Sequence, residues 1–310
     1  MKKVFVVLGP TASGKSALSV ELAKDINGEI ISADSMQIYK YMDIGTAKVT
    51  PEEMQGIKHY MINEVSPDED FSVAKFKDKA EIYLEEIQSK GKTPIIAGGT
   101  GLYINSLIYN IDFAETPMDT KWREQLSQEA EEKGIEVLFD RLKEIDFETW
   151  QRLHLNDRKR IIRAIEVYYQ TGITMSEQIK RSRVVPPKYD FCLIGLKVER
   201  ELLYDRINKR VDRMFEKGLV DEVNRLVDMG YDKNTIAMQA LGYKEVLAYL
   251  KGNISFDEAV YLIKRDSRRY AKRQMTWFRR LENVNWVDVT EDDTSVTLLK
   301  KTRKLLIGIN

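Results

Sequence analysis

Over its first hundred residues the chain alternates between two kinds of hydrophobic block. Short apolar, β-branched runs at Lys3-Val4-Phe5-Val6-Val7-Leu8, Glu29-Ile30-Ile31-Ser32-Ala33-Asp34, His59-Tyr60-Met61-Ile62 and Thr93-Pro94-Ile95-Ile96-Ala97 predict buried strands. Between them, apolar residues recur three and four apart. Residues 17–23 predict a first helix. Residues 72–89 predict a long amphipathic one, capped by Ser72, with Phe76, Ala80, Tyr83, Leu84 and Ile87 as its apolar stripe. A further helix runs from Leu102 to about Tyr109. Strands alternating with helices predict a parallel α/β sheet. Such sheets gather ligands at the carboxyl ends of their strands, and three loops fall there: 9–16, 34–37 and 98–101.

The pattern changes after Asp112. Residues 116–183 read as almost wholly helical and highly charged. Val184-Val185-Pro186-Pro187 then breaks the run, and Asp190-Phe191-Cys192-Leu193-Ile194-Gly195-Leu196 predicts a strand again. The interval is therefore read as an all-helical insertion domain, 114–188, within a core domain made of 1–113 and 189–310. The rest is helical apart from a short strand at Val284-Asn285-Trp286-Val287.

Composition narrows the chemistry. A single cysteine, Cys192, excludes an internal disulfide and a Cys-based zinc site, and two histidines, His59 and His154, argue against a histidine-rich metal site. The apolar run at the start is too short for a signal peptide, and no run approaches a membrane span, so a cytoplasmic protein without membrane contact is expected. Lys+Arg and Asp+Glu are both 49, so net charge points to no partner, but its distribution does. Residues 264–280 hold Lys264, Arg265, Arg268, Arg269, Lys272, Arg273, Arg279 and Arg280 against one acid, Asp266: eight minus one, or +7. Val260, Ile263, Ser267, Ala271, Met275 and Phe278 form a packed face at helical spacing. Arg158-Lys159-Arg160 with Arg163 is a second basic cluster. These are either solvated helix faces or the footprint of a phosphate backbone. Tyr270, Trp277 and Phe278 among the charges suit either base stacking or the core.

The first strand runs straight into Gly9-Pro10-Thr11-Ala12-Ser13-Gly14-Lys15-Ser16, which fits G-x-x-x-x-G-K-[ST], the phosphate-binding loop. Strand, glycine-rich turn and helix are the context that motif needs. Gly9 and Gly14 free the backbone to turn its N–H groups inward as an anion nest at a helix N-terminus. Lys15 supplies a point charge, and the Ser16 hydroxyl suits a Mg²⁺ ligand. The expected fold is thus α/β: a P-loop parallel sheet flanked by helices, with an all-helical insertion domain and a helical C-terminal part.

These pieces, taken with Asp34-Ser35-Met36-Gln37-Ile38-Tyr39, Asp43-Ile44-Gly45-Thr46-Ala47-Lys48, Gly98-Gly99-Thr100-Gly101-Leu102-Tyr103, Arg163-Ala164-Ile165-Glu166-Val167, Thr171-Gly172, Gln239-Ala240-Leu241-Gly242-Tyr243-Lys244-Glu245 and Ala271-Lys272-Arg273-Gln274-Met275-Thr276-Trp277-Phe278, resemble the tRNA dimethylallyltransferase family, the tRNA isopentenyltransferases. The motifs keep the family order and span nearly the whole chain. The chain departs from the family pattern at Ser267-Arg268-Arg269, where Thr-Arg-Gln is frequent, and at Asn156-Asp157, where Asp-Pro is common.

The resemblance implies an enzyme that moves the dimethylallyl (isopentenyl) group of dimethylallyl diphosphate to N6 of the adenosine 3′-adjacent to the tRNA anticodon, releasing diphosphate. It implies a diphosphate site of Gly9, Pro10, Thr11, Ala12, Ser13, Gly14, Lys15 and Ser16, completed by Arg210 or Arg206, with Arg210 preferred; the alternative for either arginine is a surface ion pair. Breaking the allylic C–O bond builds negative charge on the diphosphate. Lys15, the loop amides and Mg²⁺ on Ser16 would stabilise that charge, with Thr11 on the leaving oxygen. Asp34 is the candidate base for the N6 proton; its alternatives are a helix N-cap or an outer-sphere Mg²⁺ ligand. Asp34, Ser35, Met36, Gln37 and Thr100 match positions that contact the target nucleotide, and Arg123, Lys159, Arg160 and Arg163 would hold tRNA from the insertion. The expected state is a monomer. Three other readings compete: a P-loop kinase for a small metabolite, an isopentenyltransferase for free adenine nucleotides, and an RNA-binding nucleotide switch.

Overall fold

The structure, a computed structural model, describes residues 3–111, 120–184 and 186–307. The expected domain boundary at 113–114 and Val185 of the expected break lie outside them. The chain folds as two compact units, Met1–Ile104 with Tyr189–Asn310, and Asn105–Lys188. In chain order the elements are β1 Lys3–Leu8, α1 Lys15–Asp25, β2 Gly28–Ala33, α2 Pro51–Met54, β3 His59–Tyr60, α3 Val73–Ser89, β4 Thr93–Gly98, α4 Gly101–Ile108, α5 Thr120–Glu132, α6 Ile135–Ile145, α7 Phe147–Arg152, α8 Arg158–Thr171, α9 Met175–Val184, β5 Asp190–Val198, α10 Arg200–Glu216, α11 Leu219–Asp228, a 3₁₀ turn Ala237–Gln239, α12 Tyr243–Leu250, α13 Phe256–Phe278, β6 Val284–Val289 and α14 Ser295–Ile307.

The first unit is built on one parallel sheet in the order β3-β2-β4-β1-β5-β6. β1 sits between β4 and β5, so the chain leaves it toward one side of the sheet and returns on the other. The crevice at such a switch point, beyond the strand ends, is where an open α/β sheet binds its ligand. Val4, Val6, Val7 and Leu8 are all fully buried. A strand covered on both faces reads as a continuous apolar run rather than an alternating one. α1, β1, β5, β6 and α14 share a core of Val7, Leu18, Leu22, Ile194, Leu196, Val287 and Leu298.

The capped helix forms as the pattern predicts. The Ser72 side chain accepts from the Lys75 amide, and Phe76, Ala80, Leu84 and Ile87 are buried. Tyr83 departs from the expected stripe. It is half-buried, and its hydroxyl donates to Glu64 Oε2 at 2.8 Å. A phenol at a stripe edge reaches a carboxylate more readily than it enters a core. The helical segment predicted after the fourth strand begins at Gly101, and β2 ends one residue before Asp34. In α13 the buried residues are Ala259, Ile263, Ala271, Gln274 and Phe278. The predicted positions Val260, Ser267 and Met275 are only half-buried, while Gln274 turns into the unit to make polar contacts that a hydrophobic pattern does not register.

The second unit is helical through α5–α9. Leu126, Ala130, Leu138, Leu142, Ile161, Ile162, Ala164 and Ile165 pack as its core. Asp146 caps α7 by accepting from the Thr149 amide, and it also accepts from the Ser176 amide.

Candidate active site

The phosphate-binding loop leaves β1 and closes into α1 through two left-handed residues, Ala12 at φ 62° and Gly14 at φ 92°. Ser13 N–H donates back to Pro10 O at 3.2 Å. α1 starts at Lys15 with no side-chain cap on Gly14, which leaves the N–H groups of its first turn for a ligand. Lys15 Nζ lies 3.4 Å from Pro10 O. Withdrawal from water, and secondarily the nearby Arg210 guanidinium, lower its pKa from 10.5 to about 8, against a smaller opposing pull from Asp34.

Two loops meet this one at the strand ends. Asp34 follows β2, and its Oδ1 accepts from Met36 N–H at 2.9 Å and Gln37 N–H at 3.4 Å. One carboxylate oxygen thus holds the turn, while among the described residues Oδ2 accepts no hydrogen bond. Thr100, after β4, accepts the Ser35 N–H on Oγ1 at 3.1 Å. Gln37 is buried, with its amide facing protein: Nε2 donates to Ala47 O at 3.3 Å, and Oε1 accepts from the Ser32 hydroxyl at 3.3 Å.

Together these loops wall a cavity of about 380 Å³. Thr11, Lys15 and Ser16 lie on one side and Asp34, Ser35, Met36 and Gln37 on another. α10 and α13 close it with Ile207, Val211, Met214 and Ile263 beside Arg210, Tyr270, Arg273 and Gln274. The site therefore brings cations, one carboxylate and aliphatic side chains around one space. Of the two candidate arginines, Arg210 lines the cavity. Arg206 sits one turn earlier and donates to Thr290 O at 3.1 Å. Loss of hydration lowers the Arg210 pKa, with Asp34 opposing. Burial and Asp34 push the Tyr270 phenol up to about 12, so it is neutral at ordinary pH. Ser13, by contrast, is wholly buried beneath Gly9, so it builds the loop without lining the cavity. Motif reading of single loops does not find Tyr270, Arg273 or Gln274 as cavity residues; the sequence marks the helix that carries them by its charge, its aromatic residues and the 271–278 motif, none of which says that it closes the cavity.

Gln274 shows what that helix contributes. Its Oε1 accepts the Thr11 N–H at 2.9 Å and its Nε2 donates to Gly99 O at 2.9 Å. One side-chain amide therefore ties the phosphate-binding loop to the loop after β4. The helix's charge is also partly neutralised: Asp266 pairs with Arg265 and Arg269, and Lys264 pairs with Asp212.

In the second unit, Arg123 on α5 and Arg163 on α8 converge on one carboxylate, Glu166. Its side chain is only 3% exposed, while theirs are 51% and 42% exposed. Arg123 binds it through Nε and Nη2 at 3.0–3.2 Å, and Arg163 Nη1 lies at 3.1 Å. Lys159 and Arg160 are exposed on the first turn of α8. Glu166 belongs to a family motif that gives it no role of its own; its spacing of three from Arg163 on a helix is the available signal.

A family model described as IPP transferase matches residues 37–281. The tRNA dimethylallyltransferase of Acetivibrio thermocellus is 61% identical over 99% of this chain and 98% of its own length, and that of Carboxydothermus hydrogenoformans is 51% identical over 100% and 98%. Among solved structures, the tRNA isopentenylpyrophosphate transferase of Bacillus halodurans is 43% identical, with a TM-score of 0.74 over 99% of this chain and 96% of that one. A eukaryotic dimethylallyltransferase acting on tRNA reaches 0.84 at 30% identity, covering 100% of this chain and 79% of that one. With a family model over residues 37–281 and relatives 51–61% identical across 99–100% of its length, the chain belongs to the IPP transferase family, that of the tRNA dimethylallyltransferases.

Proposed function

We propose that this protein transfers the dimethylallyl group of dimethylallyl diphosphate to N6 of the adenosine 3′-adjacent to the anticodon of tRNA, in the cytoplasm and as a monomer. The observation that carries this reading is the cavity in which Lys15, Ser16 and Arg210 share space with Asp34 and with an apolar wall of Ile207, Val211, Met214 and Ile263. Cations and helix-terminal amides suit a diphosphate, the aliphatic wall suits a five-carbon chain, and the carboxylate suits an amine acceptor.

In this reading the N6 lone pair attacks C1 of the dimethylallyl group. The C1–O bond breaks and its electron pair leaves with the diphosphate. Lys15, Arg210 and the α1 amides meet the charge that develops there, and Thr11 hydrogen-bonds the leaving oxygen. The amine proton passes to Asp34. Because Asp34 Oδ1 is held by two backbone N–H groups, Oδ2 is the oxygen assigned to the proton. The Ser16 hydroxyl is a hard oxygen donor of the kind Mg²⁺ takes beside phosphate oxygens. When bound, the ion supplies further neutralisation of the diphosphate. The adenine must be extruded from its stack to reach such a cavity. Arg123, Lys159, Arg160 and Arg163 are assigned to the tRNA backbone.

The test is mass spectrometry of nucleosides from unmodified tRNA incubated with the protein, Mg²⁺ and dimethylallyl diphosphate, without ATP. N6-isopentenyladenosine is the expected product. Its absence, on folded protein with a competent tRNA pool, overturns the reading in favour of a P-loop kinase.

A further inference from the structure

The motifs 43–48 and 239–245 have so far been given no chemical role, and a residue outside every motif joins them. Glu222 on α11 is 2% exposed. Its Oε2 accepts the N–H groups of Asp43 at 2.9 Å and Ile44 at 2.8 Å. Its Oε1 accepts the Gly45 N–H at 3.1 Å and the Tyr243 hydroxyl at 2.7 Å. Three consecutive backbone N–H groups turned onto one anion form a nest, and here the anion is the protein's own carboxylate. Tyr243 at the start of α12 is fully buried. Its ring lies so close to Gly45 that a Cβ there would stand 2.4 Å away.

The loop held in this way forms part of the cavity. Gly45, Thr46 and Ala47 line it, as does Gly242 beside Tyr243. The carbonyls of Thr46 and Ala47 receive the Gln37 amide at 3.5 and 3.3 Å. Lys48 ties off the other end of the loop, donating to Tyr39 O, Asp43 Oδ1 and Asn63 Oδ1 at 2.6–2.7 Å. A continuous chain of hydrogen bonds thus runs from Glu222 through the 43–47 backbone to Gln37. It does not pass through the phosphate-binding loop.

We propose that Glu222, with Tyr243, is a positioning clamp that sets the wall of the cavity on the acceptor-base side, so that it governs use of the RNA substrate and leaves the diphosphate site alone. This rests on the transfer reaction proposed above. Glu222→Gln keeps the shape but turns an amide donor toward backbone donors, while Tyr243→Phe removes a single hydrogen bond and keeps the ring. The experiment measures kcat and KM separately for an anticodon stem-loop RNA and for dimethylallyl diphosphate, with amide hydrogen exchange at 43–45.

For Glu222→Gln, a loss of about ten- to a hundredfold in kcat/KM for RNA is expected, because a buried acceptor is lost from N–H groups that then have no partner. KM for dimethylallyl diphosphate should stay within about twofold, and the 43–45 amides should exchange faster. Tyr243→Phe should show the same split at about three- to tenfold, and it decides the matter if Glu222→Gln fails to fold. Restoration by Glu222→Asp of part of the RNA term supports the clamp. Unchanged exchange at 43–45, or equal losses for both substrates, overturns it. Absence of transfer by the unaltered protein instead overturns the proposed reaction, leaving the exchange result to judge the clamp.

Discussion

Gln274 accepts the backbone N–H of Thr11 at 2.9 Å across 263 residues of chain, and with its other amide atom it donates to Gly99 O. The shape of the phosphate-binding loop is therefore set partly from α13, a helix that does not begin until Phe256. The exposed basic side chains and the buried amide of that helix are two separate features on one element.

Removing the bridge should impair the diphosphate site. Gln274→Leu preserves approximate volume but leaves the Thr11 N–H and the Gly99 carbonyl without partners. We expect kcat/KM for dimethylallyl diphosphate to fall by about tenfold or more, on the scale of one unsatisfied buried group at about 1–3 kcal/mol. Steady-state kinetics with RNA saturating checks this; unchanged kinetics would show that the loop holds its shape without the helix.

Lys15 ties activity and stability to pH in opposite directions. With its pKa lowered to about 8 in the folded state, against 10.5 ordinarily, it loses its charge between pH 7 and 9. The kcat/KM for dimethylallyl diphosphate should fall as pH rises through about 8. The unfolded chain keeps this proton up to about 10.5, so it binds more protons than the folded chain between the two values, and Lys15's contribution to stability rises with pH there. A pH profile of kcat/KM beside denaturant unfolding from pH 7 to 10 separates the two. Lys15→Ala should remove that contribution to the slope of stability with pH.

Asp34 should act on turnover rather than on binding. Asp34→Asn keeps an oxygen for the Met36 and Gln37 N–H groups, while the group assigned to the amine proton is lost. A fall in kcat of about a hundredfold or more is expected for loss of a general base, with tRNA affinity within a few-fold. Single-turnover rates and filter binding on one preparation read both; a variant as fast as the parent removes Asp34 from the chemistry.

In the helical unit, Glu166 aims two arginines at once. Glu166→Gln should lower tRNA affinity by about tenfold, and Lys159→Ala with Arg160→Ala should flatten the salt dependence by about 0.7 in slope for each phosphate no longer neutralised. Binding titrations from low to moderate salt test both. A salt response as steep as that of the parent would place the RNA elsewhere.

Chelation should separate chemistry from folding. Removing Mg²⁺ with EDTA is expected to cut transfer by about a hundredfold or more, since neutralisation of the leaving diphosphate is lost. Melting of the free protein should stay the same. Full activity in chelator would leave Lys15, Arg210 and the α1 amides as sufficient.

Whatever depends on neighbours along the chain is legible in the residues alone. The unbroken apolar runs of β1 and β4, the Ser72 cap of α3, the glycine-rich turn into α1 and the helical character of 120–184 all follow from periodicity and backbone preference, which act over a few residues. So does the location of the cavity at the strand ends, because a parallel sheet carries its loops there. Which polar groups meet follows from how the elements pack. Arg206 and Arg210 stand one turn apart on α10 with similar surroundings in sequence, and only the packing of α10 sends one to the cavity and the other to Thr290. The Gln274 bridge and the Glu222 nest join residues more than 170 positions apart. The reason is physical: the apolar pattern reports burial, whereas a buried amide or carboxylate takes its role from the unpaired backbone groups that folding brings against it.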